Sequence, residues 1–352
     1  MCIVLVKSFA KFYAALTILL IIFVFTLTIV IVSSAKQPIG SDVYYHLHLG
    51  QLYMKGDFNG AWNLMFHSIS FFYPPFFHVF IDGPIALSSN PYFNLQILEC
   101  LFLPLTFLAS VCLVRKYTSA KAALLTGFAL LASWSFIDAA LQARPESLDM
   151  LLFPIVIYAV LEAKKKTAGL TATIMVWSHG FAAISSLLGV FIYKLRDKTW
   201  RKTLLLITLA VSPIIILSFI YFEGAIHFWL LGQTSTTNPQ NWMFWHQPFP
   251  WLLYYAGLSL WGIPFLFRRH KTQLETLLTY AFLGNTFMLI FWADRWLHYA
   301  ALPWAMLYGI GIAKLHGWKL YLMLAVSIGY VVLYVSIYLI TSQFHLWWQP
   351  GN

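Results

Sequence analysis

The sequence predicts an all-α polytopic membrane protein, and three observations support this fold class. Hydrophobic residues make up 60% of the 352 positions and charged residues only 10%, whereas soluble globular domains carry about 25% charged residues. Apolar runs of about 16 to 23 residues recur along the chain, close to the length that crosses a bilayer as a helix. Lys and Arg clusters separate these runs. These features exclude an ordinary soluble enzyme and predict a single transmembrane domain over residues 1–352.

The apolar runs predict about eleven membrane-spanning helices. The full spans are 13–32, 92–114, 120–138, 148–163, 203–221, 251–267, 272–291, 298–314 and 319–341. A short helical pair fills 168–193, because this stretch between two basic clusters is too short for two spans of about 20 residues each. We expect the pair to turn at Ser178-His179-Gly180. The first run could be a signal peptide cleaved at Ser33-Ser34-Ala35, but its apolar core is longer than the usual roughly 7 to 15 residues, so we expect a retained helix.

The distribution of charge predicts the orientation in the membrane. All but four of the 22 Lys and Arg residues fall in loops on one side, which the positive-inside rule makes cytoplasmic. The four predicted outside are Lys36, Lys55, Arg144 and Arg295. The acidic residues predicted at the outer side are Asp42, Asp57, Asp82, Asp138, Glu146, Asp149, Glu223 and Asp294. The N-terminus is therefore expected in the cytoplasm and any chemistry on the extracytoplasmic side, at the cell membrane or in an organelle lumen. The net charge of +10 does not indicate nucleic-acid binding, since the basic residues are spread over separate loops.

The sequence carries no motif for a metal or nucleotide cofactor. Cys2, Cys100 and Cys112 do not form a disulfide framework. No Cys/His cluster has the spacing of a structural zinc site, and no Gly-rich phosphate loop follows a strand pattern. We therefore predict neither a metal site nor a nucleotide-driven reaction.

The first external loop, predicted over 33–91, contains two helical segments. At helical spacing Asp42, Tyr45, His46, Leu49 and Tyr53 share one face of a helix that we expect along the membrane surface. Asp42 is either a helix cap without chemistry or a carboxylate that meets a membrane-bound and a soluble reactant. The run 71–88 is expected to form a shallow, partly embedded helix that prolines interrupt.

Three further segments contribute candidate residues. Arg144 and Glu146 either stabilise the start of a helix or line a polar pocket. Arg295, at the edge of a late span, could bind a lipid phosphate through two hydrogen bonds or could anchor the helix. His179 lies at the turn of the short pair and needs no function there. The loop 222–250 is rich in Trp and His, which could stack on a sugar or form an interfacial belt.

Three local patterns resemble the glycosyltransferase-C superfamily of polyprenyl-phosphate-dependent membrane enzymes. They are Ser41-Asp42-Val43-Tyr44-Tyr45-His46, Tyr73-Pro74-Pro75-Phe76-Phe77-His78 and Asp294-Arg295-Trp296-Leu297-His298-Tyr299 followed by Pro303. Arg144-Pro145-Glu146 resembles a fourth, looser motif, and His179 fits the short helical pair of the superfamily. Trp347-Trp348 is followed by Gln349 and not by Asp, which argues against transfer of an oligosaccharide to asparagine.

The resemblance implies an inverting transfer of one sugar from a dolichyl- or undecaprenyl-phosphate donor, as in dolichyl-phosphate-mannose mannosyltransferases, to an acceptor hydroxyl of a glycan, lipid or protein. Asp42 would be the catalytic base. Arg295, Arg144 and His298 would bind the donor phosphate. His46, Tyr45, Glu146 and His78 would bind the sugar or the acceptor. This scheme requires no cofactor, although a divalent metal ion is compatible with it.

Two other functions are open at the level of the sequence. A lipid or solute transporter would use the outer charges and the short helical pair as a substrate path, but it predicts polar residues that continue to the cytoplasmic side. Glu99 is one of few charged residues well within a span. A noncatalytic membrane subunit would bind its partner through the aromatic loop and would not depend on Asp42.

Overall fold

The computed structural model describes residues 2–35, 38–39, 43–65, 73–220, 257–269, 271–286 and 293–344. All regular secondary structure in these ranges is helical, which confirms the predicted all-α class. The α-helices are α1 Cys2–Ser34, α2 Val43–Met54, α3 Phe58–Asn63, α4 Pro75–Phe77, α5 Gly83–Ala86, α6 Pro91–Tyr117, α7 Ala120–Leu131, α8 Trp134–Leu141, α9 Pro145–Leu161, α10 Lys165–His179, α11 Phe181–Leu195, α12 Arg201–Ile220, α13 Ile263–Leu266, α14 Gln273–Thr286, α15 Ala293–Ile312 and α16 Trp318–Phe344. A π-helical turn covers His78–Asp82, and 3-10 turns cover Lys198–Trp200 and Gly257–Gly262.

Among the residues that the structure describes, three helical segments are long and apolar enough to cross a membrane, so the chain is a multi-pass membrane protein. They are Ala10–Ser34, Pro91–Tyr117 and Lys198–Leu217, and a bent pair of helices would make a fourth. The predicted total of about eleven spans stays a prediction.

Two predicted spans differ from the observed backbone. The span predicted over 120–138 is not one straight helix, since α7 and α8 meet at an angle of 79°. The break falls at Ser133, whose extended backbone cannot continue the helix. In the described part of the span predicted over 251–267, a 3-10 turn precedes the four-residue helix α13. The positive φ of Gly257 and the position of Pro264 in the first turn of α13 are consistent with this interruption.

The short helical pair has the predicted form. Helices α10 and α11 contain 15 residues each and meet at Gly180, whose φ of 64° favours glycine over other residues. Helix α11 packs closely on α14, because a Cβ at Gly189 would overlap the carbonyl oxygen of Tyr280 and a Cβ at Gly284 would lie 2.6 Å from the Gly189 nitrogen. Small residues allow this approach between helices in a membrane.

The first loop folds against the helix bundle as a packed unit. In the described part of the run predicted over 71–88, α4, the π-helical turn and α5 follow one another without a gap from Pro75 to Ala86, with a proline in the first turn of each α-segment, and its predicted shallow position in the membrane stays a prediction. Helix α2 packs on the π-helical turn and on α5. A Cβ at Gly50 would lie 2.7 Å from Asp82 Cβ, so glycine permits this contact.

The helix predicted after Asp42 is present as α2, and both of its faces contribute buried residues. Val43 and Leu47 are buried together with Leu95 of α6 and Ala143. His46 and Leu49, from the face predicted to include Tyr45 and Tyr53, are also buried.

Candidate functional site

The first loop brings together two histidines and a carboxylate. His46 lies on α2, and His78 and Asp82 lie on the π-helical turn. His78 Nδ1 is 2.8 Å from Asp82 Oδ2, and the His46 and His78 rings stack with centroids 5.1 Å apart. All three residues are buried. The close packing of α2 on the π-helical turn therefore creates a polar cluster in the interior of the loop.

Tyrosines surround this cluster. The rings of Tyr45 and Tyr73 lie within 6 Å of each other, and both adjoin His46. Tyr53 packs against His78 with ring centroids 6.4 Å apart. Burial raises the pKa of Tyr53 to about 12 and that of Tyr45 still further, so both phenols remain neutral at physiological pH. A neutral phenol can donate a hydrogen bond to a sugar or a phosphate oxygen.

A second polar cluster forms where α9 begins and α10 ends. Arg144 is the N-cap of α9 and its Nε lies 3.3 Å from Glu146 Oε2. His179, the last residue of α10, places Nε2 3.7 Å from Glu146 Oε1 and Nδ1 3.2 Å from Asp149 Oδ2. The hydroxyl of Tyr299 on α15 is 2.5 Å from His179 Nδ1. Because these side chains are at least nine-tenths buried, their charges interact in a medium of low dielectric.

His298 connects the start of α15 to α8. Its Nε2 is 3.6 Å from Asp138 Oδ2 on α8. Asp138 Oδ1 also accepts a hydrogen bond of 2.8 Å from Gln142 Nε2. Asp138 is the more exposed member of the pair, with about a third of its side chain accessible. This pair fixes the start of α15 against the segment that leads to Arg144.

The two clusters belong to one region of the molecule. Helix α10, which ends at His179, packs on α4 directly before His78. Burial lowers the pKa of His78, Asp82 opposes this effect, and the neighbouring His46 and then His179 lower the pKa further. Ala143, next to Arg144, packs with Val43 at the start of α2. The start of α2 and the start of α9 are therefore adjacent.

The chain segment before α2 is held by α6. Glu99 Oε1 accepts a 2.7 Å hydrogen bond from the backbone nitrogen of Ile39, and Gln96 Nε2 donates a 3.1 Å bond to the carbonyl of Ala35. Both side chains project from α6 about one turn apart. They fix the backbone that leads from α1 towards α2.

The structure groups most of the residues predicted from the sequence. Among the eight predicted site residues, those with described side chains are Tyr45, His46, His78, Arg144, Glu146 and His298, and each belongs to one of the clusters above. Asp42 lies outside the described residues, as does the aromatic loop 222–250. The backbone of Arg295 is part of α15, and its side chain lies outside the described part of the structure.

Sequence reasoning missed the site positions of several other residues. Asp82, Asp138, Asp149 and Tyr299 were not assigned roles, although three of them were recognised as outer acidic residues. The spacing of His78 and Asp82 at i,i+4, and of Glu146 and Asp149 at i,i+3, places each pair on one helical face and could have linked them.

Comparison with known proteins identifies the fold. No protein-family model and no curated protein matches the sequence. A similar solved structure is ArnT from Cupriavidus metallidurans bound to undecaprenyl phosphate, with a TM-score of 0.59, 18% identity, and coverage of 95% of this chain and 66% of ArnT. The apo state of the same protein gives a TM-score of 0.55 at 18% identity, with coverage of 95% and 65%. The similarity shows that this chain has an ArnT-like fold, in agreement with the fold that the predicted resemblance implies.

Proposed function

We propose that this chain is an inverting membrane glycosyltransferase that moves one sugar from a polyprenyl-phosphate donor to an acceptor hydroxyl. The observation that carries the proposal is the meeting of four sequence segments, namely the start of α2, the start of α9, the end of α10 and the start of α15. They come together within a fold similar to that of ArnT, which was solved with undecaprenyl phosphate. The donor would be an undecaprenyl- or dolichyl-phosphate sugar, and the site would face the extracytoplasmic side.

Asp42 is the proposed base. It would take the proton of the acceptor hydroxyl while the hydroxyl oxygen forms a bond to the anomeric carbon from the face opposite the phosphate. The bond between that carbon and the phosphate oxygen breaks, and its electron pair stays on the lipid phosphate. Glu99 and Gln96 support this role, because they hold the backbone at Ile39 and Ala35, which precede Asp42 in the sequence.

Arg144, Arg295 and His298 are the proposed contacts of the donor phosphate. Negative charge grows on the phosphate as it leaves, and fixed cations in a site of low dielectric stabilise that charge. The pair with Glu146 holds the Arg144 guanidinium in place before the donor arrives. His298 is held by Asp138 near the same segment.

Tyr45 and Glu146 are the proposed contacts of the sugar or acceptor, and His46 and His78 are proposed to support them from behind. Tyr45 is half-buried and its hydroxyl has no hydrogen-bond partner among the described residues, so it can bond to a sugar hydroxyl. The His46 and His78 rings are buried behind Tyr45 and Tyr73, so they would act by supporting that surface.

The test compares two Asp→Asn variants in the same loop. Purified protein in detergent is supplied with a panel of radiolabelled polyprenyl-phosphate sugars and candidate acceptors, and sugar release is measured. Asp42→Asn should reduce turnover by about 100-fold or more while donor binding persists, since general bases contribute about 10² to 10⁴. Asp57→Asn is the matched control: Asp57 is exposed, its carboxylate caps α3 by accepting a bond from Gly60, and an Asn amide oxygen can accept the same bond.

Three outcomes would contradict the proposal. Equal turnover in wild type and Asp42→Asn would remove Asp42 as the base. Equal loss in both variants would indicate a general effect of loop carboxylates. Failure of undecaprenyl phosphate and dolichyl phosphate to raise the Tm of the wild-type protein would exclude a polyprenyl-phosphate site and favour a solute transporter or a noncatalytic subunit.

A further inference from the structure

The His46, His78 and Asp82 cluster has the donor set of a metal site. One possible ligand atom from each residue lies within 4.8 Å of the other two. His78 Nδ1 and Asp82 Oδ2, 2.8 Å apart, are already near the separation of about 3.3 Å that two ligands take around one Zn²⁺ ion with bonds of about 2.0 Å. Binding an ion would displace the proton between these two atoms and draw His46 closer, because the three ligand atoms now lie within 4.8 Å of one another and would need separations of about 3.3 Å.

The cluster contains polar atoms that the protein leaves unsatisfied. His78 Nε2 and Asp82 Oδ1 are buried without a hydrogen-bond partner among the described residues. Buried polar atoms of this kind are uncommon in native proteins and call for a specific explanation. Within the described part of the chain, the ion pair of Asp82 is with His78, and neither Lys nor Arg compensates its charge. A bound cation would supply that compensation.

The backbone holds the ligands in place before an ion binds. His78 and Asp82 are the first and last residues of the five-residue π-helical turn, and π-helical turns occur frequently at functional sites. His46 is brought to them by the close contact of α2 with the turn at Gly50. The His46 ring stacks on that of His78 with 10° between the ring planes, so it would have to rotate for a nitrogen lone pair, which lies in the ring plane, to point at the same ion.

We propose that His46, His78 and Asp82 bind one divalent transition-metal ion, for which Zn²⁺ is the best fit. Two imidazole nitrogens and one carboxylate oxygen suit Zn²⁺, whereas Ca²⁺ and Mg²⁺ prefer sites made of oxygen ligands. A water molecule would complete a tetrahedral shell. All three protein ligands have relative exposures of 1% or less, so the ion is closed off from substrate and joins α2 to the π-helical turn.

This site has a positional consequence for the reaction. His46 lies on α2, which begins one residue after Asp42 in the sequence. The ion would therefore fix the helix that directly follows the proposed base, without contacting the sugar. The metal proposal does not rest on the transferase activity, because its test measures binding and needs no turnover.

The first experiment measures metal content. The full chain is purified in detergent through a tag without histidines, treated with a chelator, dialysed and incubated with ZnCl₂, and bound zinc is counted by inductively coupled plasma mass spectrometry. Wild type should hold one Zn²⁺ per chain. His78→Gln and Asp82→Asn should weaken binding by about 100-fold or more, since even groups that only orient metal ligands contribute about 10- to 100-fold. His48→Gln, on the exposed side of α2, should keep the wild-type stoichiometry.

The second experiment identifies the ligands and does not depend on the folding of loss-of-ligand variants. Co²⁺ added to the metal-free wild type should give the visible absorption of a tetrahedral site. His78→Cys should bind Co²⁺ and add a sulfur-to-metal charge-transfer band in the near ultraviolet. Wild type that binds no stoichiometric Zn²⁺ or Co²⁺ would overturn the proposal. Equal zinc binding by wild type, His78→Gln and Asp82→Asn would do the same.

Discussion

Removal of the Glu99 carboxylate should slow the proposed reaction, although Glu99 does not contact the substrate. Its Oε1 accepts the 2.7 Å hydrogen bond from the Ile39 backbone nitrogen, three residues before Asp42. Glu99→Leu removes the acceptor and keeps an apolar side chain of similar size. Glu99→Gln keeps an oxygen that can accept the same bond. The two variants therefore separate the hydrogen bond from the volume of the side chain.

The size of the effect follows from that one hydrogen bond. An intramolecular hydrogen bond contributes about 1 kcal/mol with a neutral acceptor and up to about 3 kcal/mol with a charged one. If all of this free energy serves to hold Asp42 in its reactive position, its loss lowers kcat by about 5- to 150-fold, at about 1.36 kcal/mol for each factor of ten. KM for the donor should change little, because the phosphate contacts proposed on α9 and α15 remain.

The assay measures kcat and KM with the active donor for wild type, Glu99→Leu and Glu99→Gln. Glu99→Gln should recover most of the turnover that Glu99→Leu loses. Asn94→Leu is the control on the same helix, since the side chain of Asn94 donates a 2.8 Å hydrogen bond to Ser88 and makes no hydrogen bond to Ala35 or Ile39. Unchanged kcat in Glu99→Leu would refute the positioning role. A Glu99→Gln variant as slow as Glu99→Leu would show that the hydrogen bond is not the cause.

Three other substitutions test the packing and the second polar cluster. Gly189→Ala should lower the free energy of unfolding by about 1 to 3 kcal/mol through overpacking. Gly169→Ala is the control, since its new Cβ would be 3.5 Å from the nearest neighbour and the change should be neutral or stabilising by up to about 1 kcal/mol. Equal Tm values of the two variants in detergent would contradict the glycine contact. Asn285→Ala removes three hydrogen bonds between helices and should lower the free energy of unfolding by about 2 kcal/mol, at about 0.6 kcal/mol for each bond. Its Tm should be lower than that of Thr286→Ala, which loses a hydrogen bond within its own helix. Arg144→Gln should weaken donor binding by about 10- to 100-fold and Arg144→Lys by less, because Lys keeps the charge without the two-pronged geometry; unchanged donor affinity in both would place the phosphate elsewhere.

The helices and several site residues could be predicted from the sequence because their signals are local. Apolar runs and basic boundaries indicated the long helices. The shortness of 168–193 between two basic clusters predicted the α10–α11 pair and its turn at His179. The bend between α7 and α8 was not predicted, because Ala132-Ser133 has the composition of an ordinary helix interior, although the backbone departs from helix at these two residues.

The tertiary structure alone decided which polar residues meet. His179 and Tyr299 are 120 positions apart, and their contact depends on how α10 and α15 are arranged around α11 and α14. Likewise, Asp82 joins His46 only because Gly50 lets α2 approach the π-helical turn. The sequence by itself determined an all-helical membrane protein with candidate residues in four segments, since hydropathy and helical period act over neighbouring residues. The sequence alone could not predict the two polar clusters, because a contact between distant residues is fixed by close packing of helices, which no local pattern encodes.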